Sequence, residues 1–368
     1  MFHQSASGVV SPTPLGLEVE GGAGLSRRAT VKDVAALAGV THASVSVVLN
    51  GASGNTRVSD ETRQRILEAA QQLGYKRNGS LVSARTGRFG ALALLLSTIN
   101  QRSNLPQKMW SGIQDELDAN DMSLTLARLP EEELAPDATV PKVLREMTAD
   151  GFLVNYTNHI PPKLLQLIHG HSAPAIWLNA QHERDCVYPN DFAAGAQVTR
   201  RLLELGHQKI AYMDASHRED DAGEHYSALA RREGFESAMR EAALPARAVW
   251  LAHPFENQAA QLEAILGAAD APTAFVGYGR AEAEVLWLVA AKLGLQIPRD
   301  VSYVTFESDV LRVGGLELSC ALVPEYEMGR QATRLLLQKI GAPSQEWEPL
   351  VLPFAFHAGQ SLAPTKKP

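Results

Sequence analysis

Residues 30–50 read TVKDVAALAGVTHASVSVVLN, and the spacing of apolar residues in that stretch decides how the fold begins. Val31, Val34, Ala35 and Ala38 fall at i, i+3, i+4 and i+7, one face of a helix. Thr30 is placed to cap that helix, with Asp33 three residues on in a near capping box. Gly39 suits the left-handed conformation that ends a helix, and Val40 plugs the turn. A second helix is predicted from Thr41 or His42 to about Leu49, with Val45, Val48 and Leu49 inward and His42, Ala43, Ser44 and Val47 elsewhere. Two short helices joined by a tight Gly turn have helix-turn-helix spacing. A third helix follows, capped by Ser59, packed through Ile66, Leu67, Ala70 and Leu73, and ending at Gly74-Tyr75.

Charge is distributed unevenly around this unit. The 368 residues carry a net −7. Residues 1–26 hold Glu18 and Glu20 but no Lys or Arg, and their Gly, Ser and Pro content predicts a disordered tail rather than a signal peptide. Residues 27–88 hold ten basic and four acidic residues, a net +6, which leaves −11 for residues 89–368. A basic block on an acidic body points to a polyanion partner for the first part alone. A bland three-helix domain with solvated charge would show the same apolar pattern. Cys186 and Cys320 lie far apart with no CxxC pair, which predicts a reducing compartment, cytoplasmic residence and no structural zinc. No apolar run approaches the roughly 20 residues that span a membrane.

From Phe89 on, strand-like runs alternate with amphipathic helical patterns. Strands are predicted at 90–97, 123–129, 151–156 and 175–179, then at 209–215, 247–252, 273–278 and 301–307. Helices are predicted at 108–120, 192–205, 230–242 and 281–293. Such alternation implies parallel sheets in doubly wound α/β units. The pattern repeats in two halves that split near residue 188, so two lobes with a cleft between them are expected, the logic of a ligand clamp.

The headpiece stretch over 30–78 (TVKDVAALAGVTHASVSVVLNG, then RVSDETRQRILEAAQQLGYKRN) resembles the lactose-repressor/galactose-repressor family of transcriptional regulators. The resemblance continues to about residue 362 through LLELGHQKIAYM (202–213), RREGFESAM (231–239), PTAFVGYG (272–279), LGLQIPRDVSYVTFES (293–308) and LVPEYEMGRQATRLLL (322–337). It implies a three-helix helix-turn-helix headpiece over 27–78 and a hinge over 79–88. It also implies a periplasmic-binding-protein-like core over 89–362. The N-lobe is expected at about 89–188 and 320–345 and the C-lobe at about 190–318 and 348–362, with chain crossings near 188–190, 318–320 and 344–350.

The resemblance carries residue roles with it. His42, Ala43 and Val47 fall where the family reads base edges in the major groove. Thr30, Thr41, Ser44 and Ser46 contact or support phosphates, and Asn50, Arg57, Thr62, Tyr75 and Asn78 are candidate backbone contacts or supports. Ala43 and Val47 offer only apolar contact, as to a thymine methyl, so an operator distinct from the family's usual ones is expected. In the hinge, Ala84 stands where the family wedges a leucine into the minor groove; either Leu81 substitutes or the duplex is not fully kinked.

For the cleft, Asp191 resembles the family's interlobe acid and Arg231 its effector-binding arginine. Gly279-Arg280 replaces an Asn-Asp pair, exchanging a carboxylate acceptor for a cation with donors only. Phe306 and Glu307 follow the next strand, and Glu307 is a possible internal partner for Arg280. An Arg280 in the cleft suits an acidic ligand such as a uronate or sugar phosphate; another sugar-like ligand, or no small ligand, stays open. Trp110 and Trp177 are candidates for stacking on a sugar ring, or simply core. The implied assembly is a homodimer on a pseudo-palindromic DNA site, with no cofactor and no metal. His169-Gly-His171 lacks a third ligand. An enzyme is disfavoured by the lack of a P-loop or G-x-S-x-G elbow. A secreted sugar-binding protein is disfavoured by the headpiece.

Overall fold

The computed structural model describes residues 29–50, 57–76, 87–99, 102–135, 141–146, 148–170, 174–215 and 225–366. They belong to two compact units, residues 1–85 and 86–368.

In the first unit, α1 (Val31–Ala38), α2 (His42–Asn50) and α3 (Asp60–Gln72) follow the periodicity of the sequence. The capping box is complete: Thr30 N–H donates to Asp33 Oδ2 at 2.7 Å, and Thr30 Oγ1 accepts from Asp33 N–H at 3.4 Å. Gly39 sits at φ 64°, and Val40 N–H reaches the Ala35 carbonyl at 3.1 Å. Val34, Ala35, Ala38, Val45, Ile66, Ala69 and Ala70 form the core, with Val48, Leu49 and Tyr75 packed at its edge. Leu67 and Leu73 were expected to pack but are 44% and 37% exposed. Ile66, Ala69 and Ala70 already fill the inward stripe of α3. Leu67 lies a hundred degrees round the helix from Ile66, and Leu73 is the C-cap, beyond the last buried turn.

The second unit opens with β1 (Ala91–Ser97), α4 (Gln107–Asp118), β2 (Ser123–Leu129), the short α5 (Lys142–Arg145), β3 (Gly151–Asn155), α6 (Pro162–Gly170), β4 (Ala175–Leu178) and β5 (Cys186–Pro189). The chain then leaves this lobe for α7 (Asp191–Glu204), β6 (Ile210–Asp214), α8 (Tyr226–Glu241), β7 (Arg247–Trp250), α9 (Phe255–Leu266), β8 (Ala274–Gly277), α10 (Arg280–Lys292) and β9 (Ser302–Glu307). A small hairpin, β10 (Arg312–Val313) with β11 (Leu316–Glu317), precedes β12 (Ser319–Leu322), α11 (Glu325–Gly341), β13 (Leu350–Leu352) and β14 (Ala355–His357).

Two six-stranded sheets result. The N-lobe sheet runs β13-β5-β4-β3-β1-β2 with every pairing parallel. The C-lobe sheet runs β14-β12-β9-β8-β6-β7 and is parallel except for the antiparallel edge strand β14. β3 and β6 are buried along their whole length, as expected of strands covered on both faces.

The first crossing falls at Asn190, as read from sequence. The other two come later than expected. β12 pairs with β9 and belongs to the C-lobe, so the second crossing is at Val323–Pro324 rather than 318–320. β13 still pairs with β5, so the third is at Pro353–Phe354 rather than 344–350. Both errors have one cause. A short edge strand looks alike in either sheet, and only its partner assigns it.

Candidate functional site: an exposed reading helix and an interlobe cleft

In the headpiece, Thr41, His42 and Ala43 are exposed at the N-terminal end of α2, while Ser44, Ser46 and Val47 are half-buried. Thr41 Oγ1 accepts from Ser44 N–H at 3.2 Å and lies 3.0 Å from Ser44 Oγ, so both hydroxyls are already engaged in ending the turn. At α3, Ser59 Oγ accepts from Thr62 N–H at 3.3 Å and donates to Thr62 Oγ1 at 2.9 Å. Arg57 is exposed and Tyr75 is half-buried against the core. The side chain of Asn50, and Asn78, Leu81 and Ala84, lie outside the described residues, as does the tail over 1–26.

In the second unit, strand ends converge on a cavity of about 480 Å³ between the lobes. Asn104, Thr157 and Asn179 reach it from loops after N-lobe strands, and Tyr278, Phe306 and Glu307 from C-lobe strand ends. His225, Ser227 and Arg231 come from the start of α8, Asp191 from the first crossing, and Glu325 from the second. The carboxyl ends of parallel strands are where doubly wound sheets place ligands. Cavities of about 590 and 570 Å³ lie elsewhere, one along α7 and β14 and one within the N-lobe. Neither gathers strand ends from both sheets, so the interlobe cavity is the better candidate.

Asp191 and Arg231 form its buried centre. Arg231 Nε donates to Asp191 Oδ1 at 2.7 Å, with side-chain exposures of 9% and 0%. The guanidinium is sandwiched by the rings of Phe306 at 4.6 Å, Tyr278 at 4.9 Å and Phe354 at 5.7 Å. Burial pushes the Asp191 carboxyl up while the Arg231 charge opposes it, and the guanidinium stays protonated. Asp191 Oδ2 is buried and has no hydrogen-bond partner among the described residues. A buried acceptor left unmade is costly, which marks it as a place for a ligand donor.

His225 caps α8 by accepting Ser227 N–H on Nδ1 at 3.3 Å, which puts its proton on Nε2. Burial and then the nearby Arg231 charge hold it down to about 4, so the ring is a neutral donor. Tyr278 OH lies 3.0 Å from Ser227 Oγ. Tyr303 donates to the Gly279 carbonyl at 2.9 Å; a Cβ on Gly277 would stand 1.9 Å from that hydroxyl, so glycine there is what admits it. Glu282 fixes the adjoining loops, accepting from Ala215 N–H at 2.6 Å and Gly279 N–H at 2.9 Å.

Several expected residues stand elsewhere. Arg280 does not line the cavity. It is the first residue of α10, its side chain is 64% exposed, and its Nε donates to Glu284 Oε1 at 2.6 Å rather than pairing with Glu307. Trp110 is half-buried against the N-lobe core. Trp177 is buried inside that lobe, stacked 4.3 Å from His182. Missed by sequence reasoning were Asn104, Thr157, Asn179, His225, Ser227, Tyr278 and Glu325. The usable signal was position, since Asn179 and Tyr278 end predicted strands and Asn104 and Thr157 follow them; His225, Ser227 and Glu325 carried no such mark.

Two family descriptions match the chain. Residues 30–78 match the bacterial regulatory proteins of the lacI family, and residues 98–358 match the periplasmic binding proteins and sugar binding domain of the LacI family. The chain belongs to the LacI family. The ribose operon repressor of Haemophilus influenzae is 24% identical over 331 residues, covering 88% of this chain and 96% of that protein. The transcriptional repressor PurR of Actinobacillus pleuropneumoniae is 26% identical over 336 residues, covering 89% and 95%. Among solved structures, the Lac repressor dimer bound to operator and the anti-inducer ONPF superposes with a TM-score of 0.72 at 19% identity, covering 92% of this chain and all of that one. A LacI family regulator from Enterococcus faecium with bound ribose gives 0.57 at 22% identity, covering 75% and 100%. At these identities the superpositions speak for the fold.

Proposed function

We propose that this LacI family member is a cytoplasmic repressor, a homodimer that binds a pseudo-palindromic DNA site and answers to a small sugar-like effector in the interlobe cleft. The observation that carries it is the pairing, in one chain, of an exposed reading helix with a cleft holding an unsatisfied buried acceptor. His42 donates to a base or phosphate, and Ala43 and Val47 make apolar contacts. Thr30, Thr41, Ser44, Ser46, Asn50, Arg57, Thr62, Tyr75 and Asn78 hold or support the backbone, with Leu81 or Ala84 at the hinge. An effector satisfying Asp191 Oδ2 favours one lobe arrangement, and the chain crosses between lobes three times, so both sheets respond together. The named repressor activity of the relatives and the ribose bound by the Enterococcus faecium protein support this reading. The acidic ligand expected from Arg280 loses its basis, because that cation faces solvent.

A binding-site selection with the full chain tests it. Enrichment of one palindromic sequence, retained with a steep loss of affinity as salt rises, is expected. Recovery of no enriched sequence would sink it.

A further inference from the structure

The charges lining the cleft do not balance. Among the described residues, three carboxylates, Asp191, Glu307 and Glu325, line it with one guanidinium, Arg231. Asp191 consumes Arg231. Among the described residues the side-chain hydrogen bond to Glu307 comes from Thr305 Oγ1 at 3.3 Å and that to Glu325 from Ser308 Oγ at 2.6 Å, with Arg231 drawing on both from a distance. Lys108, which draws on Glu325, is itself paired with Asp309 and donates to the Ser308 carbonyl at 2.6 Å. Arg280, the remaining candidate to neutralise Glu307, is tied to Glu284.

Resting on the effector reading above, we infer that the effector carries a protonated amine on a hydroxylated ring or chain, an amino sugar or amino polyol, with the ammonium held at Glu307 and Glu325. The geometry gives such a molecule three distinct contacts. Asp191 Oδ2, buried and unpartnered, accepts a hydroxyl proton. Met109, Phe306 and Met328 supply an apolar wall for a ring face. Glu307 from the C-lobe and Glu325, the first residue of α11 on the N-lobe side, supply charge. Burial raises Glu307 to about 7, and a cation beside it is what relieves that penalty. A uronate or a phosphate in the same place would stand beside two carboxylates that make no ion pair of their own among the described residues.

The test is isothermal titration of the full chain at pH 7 with matched sets. D-glucosamine, D-galactosamine and D-mannosamine are each set against the neutral hexose, the N-acetyl derivative and the uronate. The expected result is that one amino sugar binds at least tenfold more tightly than its neutral twin. N-acetylation, which removes the charge and keeps the ring, abolishes that advantage, and Glu307→Gln cuts it to threefold or less. A neutral hexose or a uronate binding as tightly as its amine overturns the amine while leaving a sugar effector standing. Binding by no member overturns both. An advantage that survives in a folded Glu307→Gln protein, with its melting transition intact, overturns the assignment to Glu307.

Discussion

Tyr226 and Asn179 join the lobes across one side of the cleft, the tyrosine hydroxyl donating to Asn179 Oδ1 at 2.8 Å. Lys108 joins them at another place, from the first turn of α4 to the Ser308 carbonyl and Asp309 beyond β9. The first is a single part-buried hydrogen bond, worth about 1 kcal/mol. The Lys108–Asp309 pair is largely solvated, with side chains 41% and 74% exposed. Such pairs contribute about 0–1 kcal/mol. Their importance is in what they connect, because weak bonds between rigid lobes bias an equilibrium without deciding whether the protein folds.

Lys108→Met and Tyr226→Phe should therefore separate stability from regulation. Each should change the unfolding free energy by less than about 1 kcal/mol. Each should change operator affinity by a factor of about three or more, a coupling of roughly 0.7 kcal/mol. Urea denaturation and mobility-shift titration read the two quantities. Operator affinity unaltered in both variants would show that the links do not bias the lobes.

The helix pair α7 and α8 makes a sharper stability prediction. A Cβ at Gly195 would lie 2.1 Å from the Arg231 carbonyl, and one at Gly234 would lie 2.1 Å from the Phe192 carbonyl. Both obstacles are backbone, so the helices must separate to admit a methyl group. Gly195→Ala and Gly234→Ala should each cost roughly 1–3 kcal/mol, seen as a lower urea midpoint. A midpoint equal to wild type for either would contradict this crossing.

In the headpiece, Thr30→Ala removes half of the capping box and should cost about 1 kcal/mol. His42→Ala should leave folding alone, since the ring is exposed, and should weaken discrimination at one base pair of each half-site by about 1–3 kcal/mol. Comparison of selected sites for the two proteins gives the answer. Equal preference at every position would place His42 on the phosphates or in solvent.

How much of this was legible beforehand depends on the range of the interaction. The Thr30–Asp33 box and the Gly39 turn are local, and the sequence spelled them out. All eight core strands named from the pattern are present; the central ones are buried on both faces and read as continuous apolar runs, while the edge strands β2 and β7 are exposed or half-buried along most of their length and were found by their place in the strand–helix alternation. Asp191 and Arg231 were each named only through the resemblance, and their contact across 40 positions was not foreseen. Arg280 shows the limit of that route. Arg280 opens α10, and while Gly279 lies against the cavity the arginine beside it turns outward to Glu284. Asn179 and Tyr226 carry no pattern of their own, since a single polar residue after a strand becomes a latch only when the opposite lobe supplies its partner.

Glu307 gives the last prediction its sign. Burial, with like charge from Glu282, pushes its carboxyl from the ordinary 4.5 up to about 7, against pulls from Thr305, Arg231 and Arg280. The folded protein therefore holds a proton that the unfolded chain releases at lower pH. The stabilising contribution is complete below about pH 4.5 and is lost as pH rises through about 7. Glu307→Gln has no proton to lose. Relative to wild type it should gain stability between pH 5 and pH 8, by on the order of 1–2 kcal/mol once the partial exposure of the group is discounted. Urea unfolding of both proteins at the two values measures the difference directly, and a constant gap across that range would mean that Glu307 ionises freely in the folded protein.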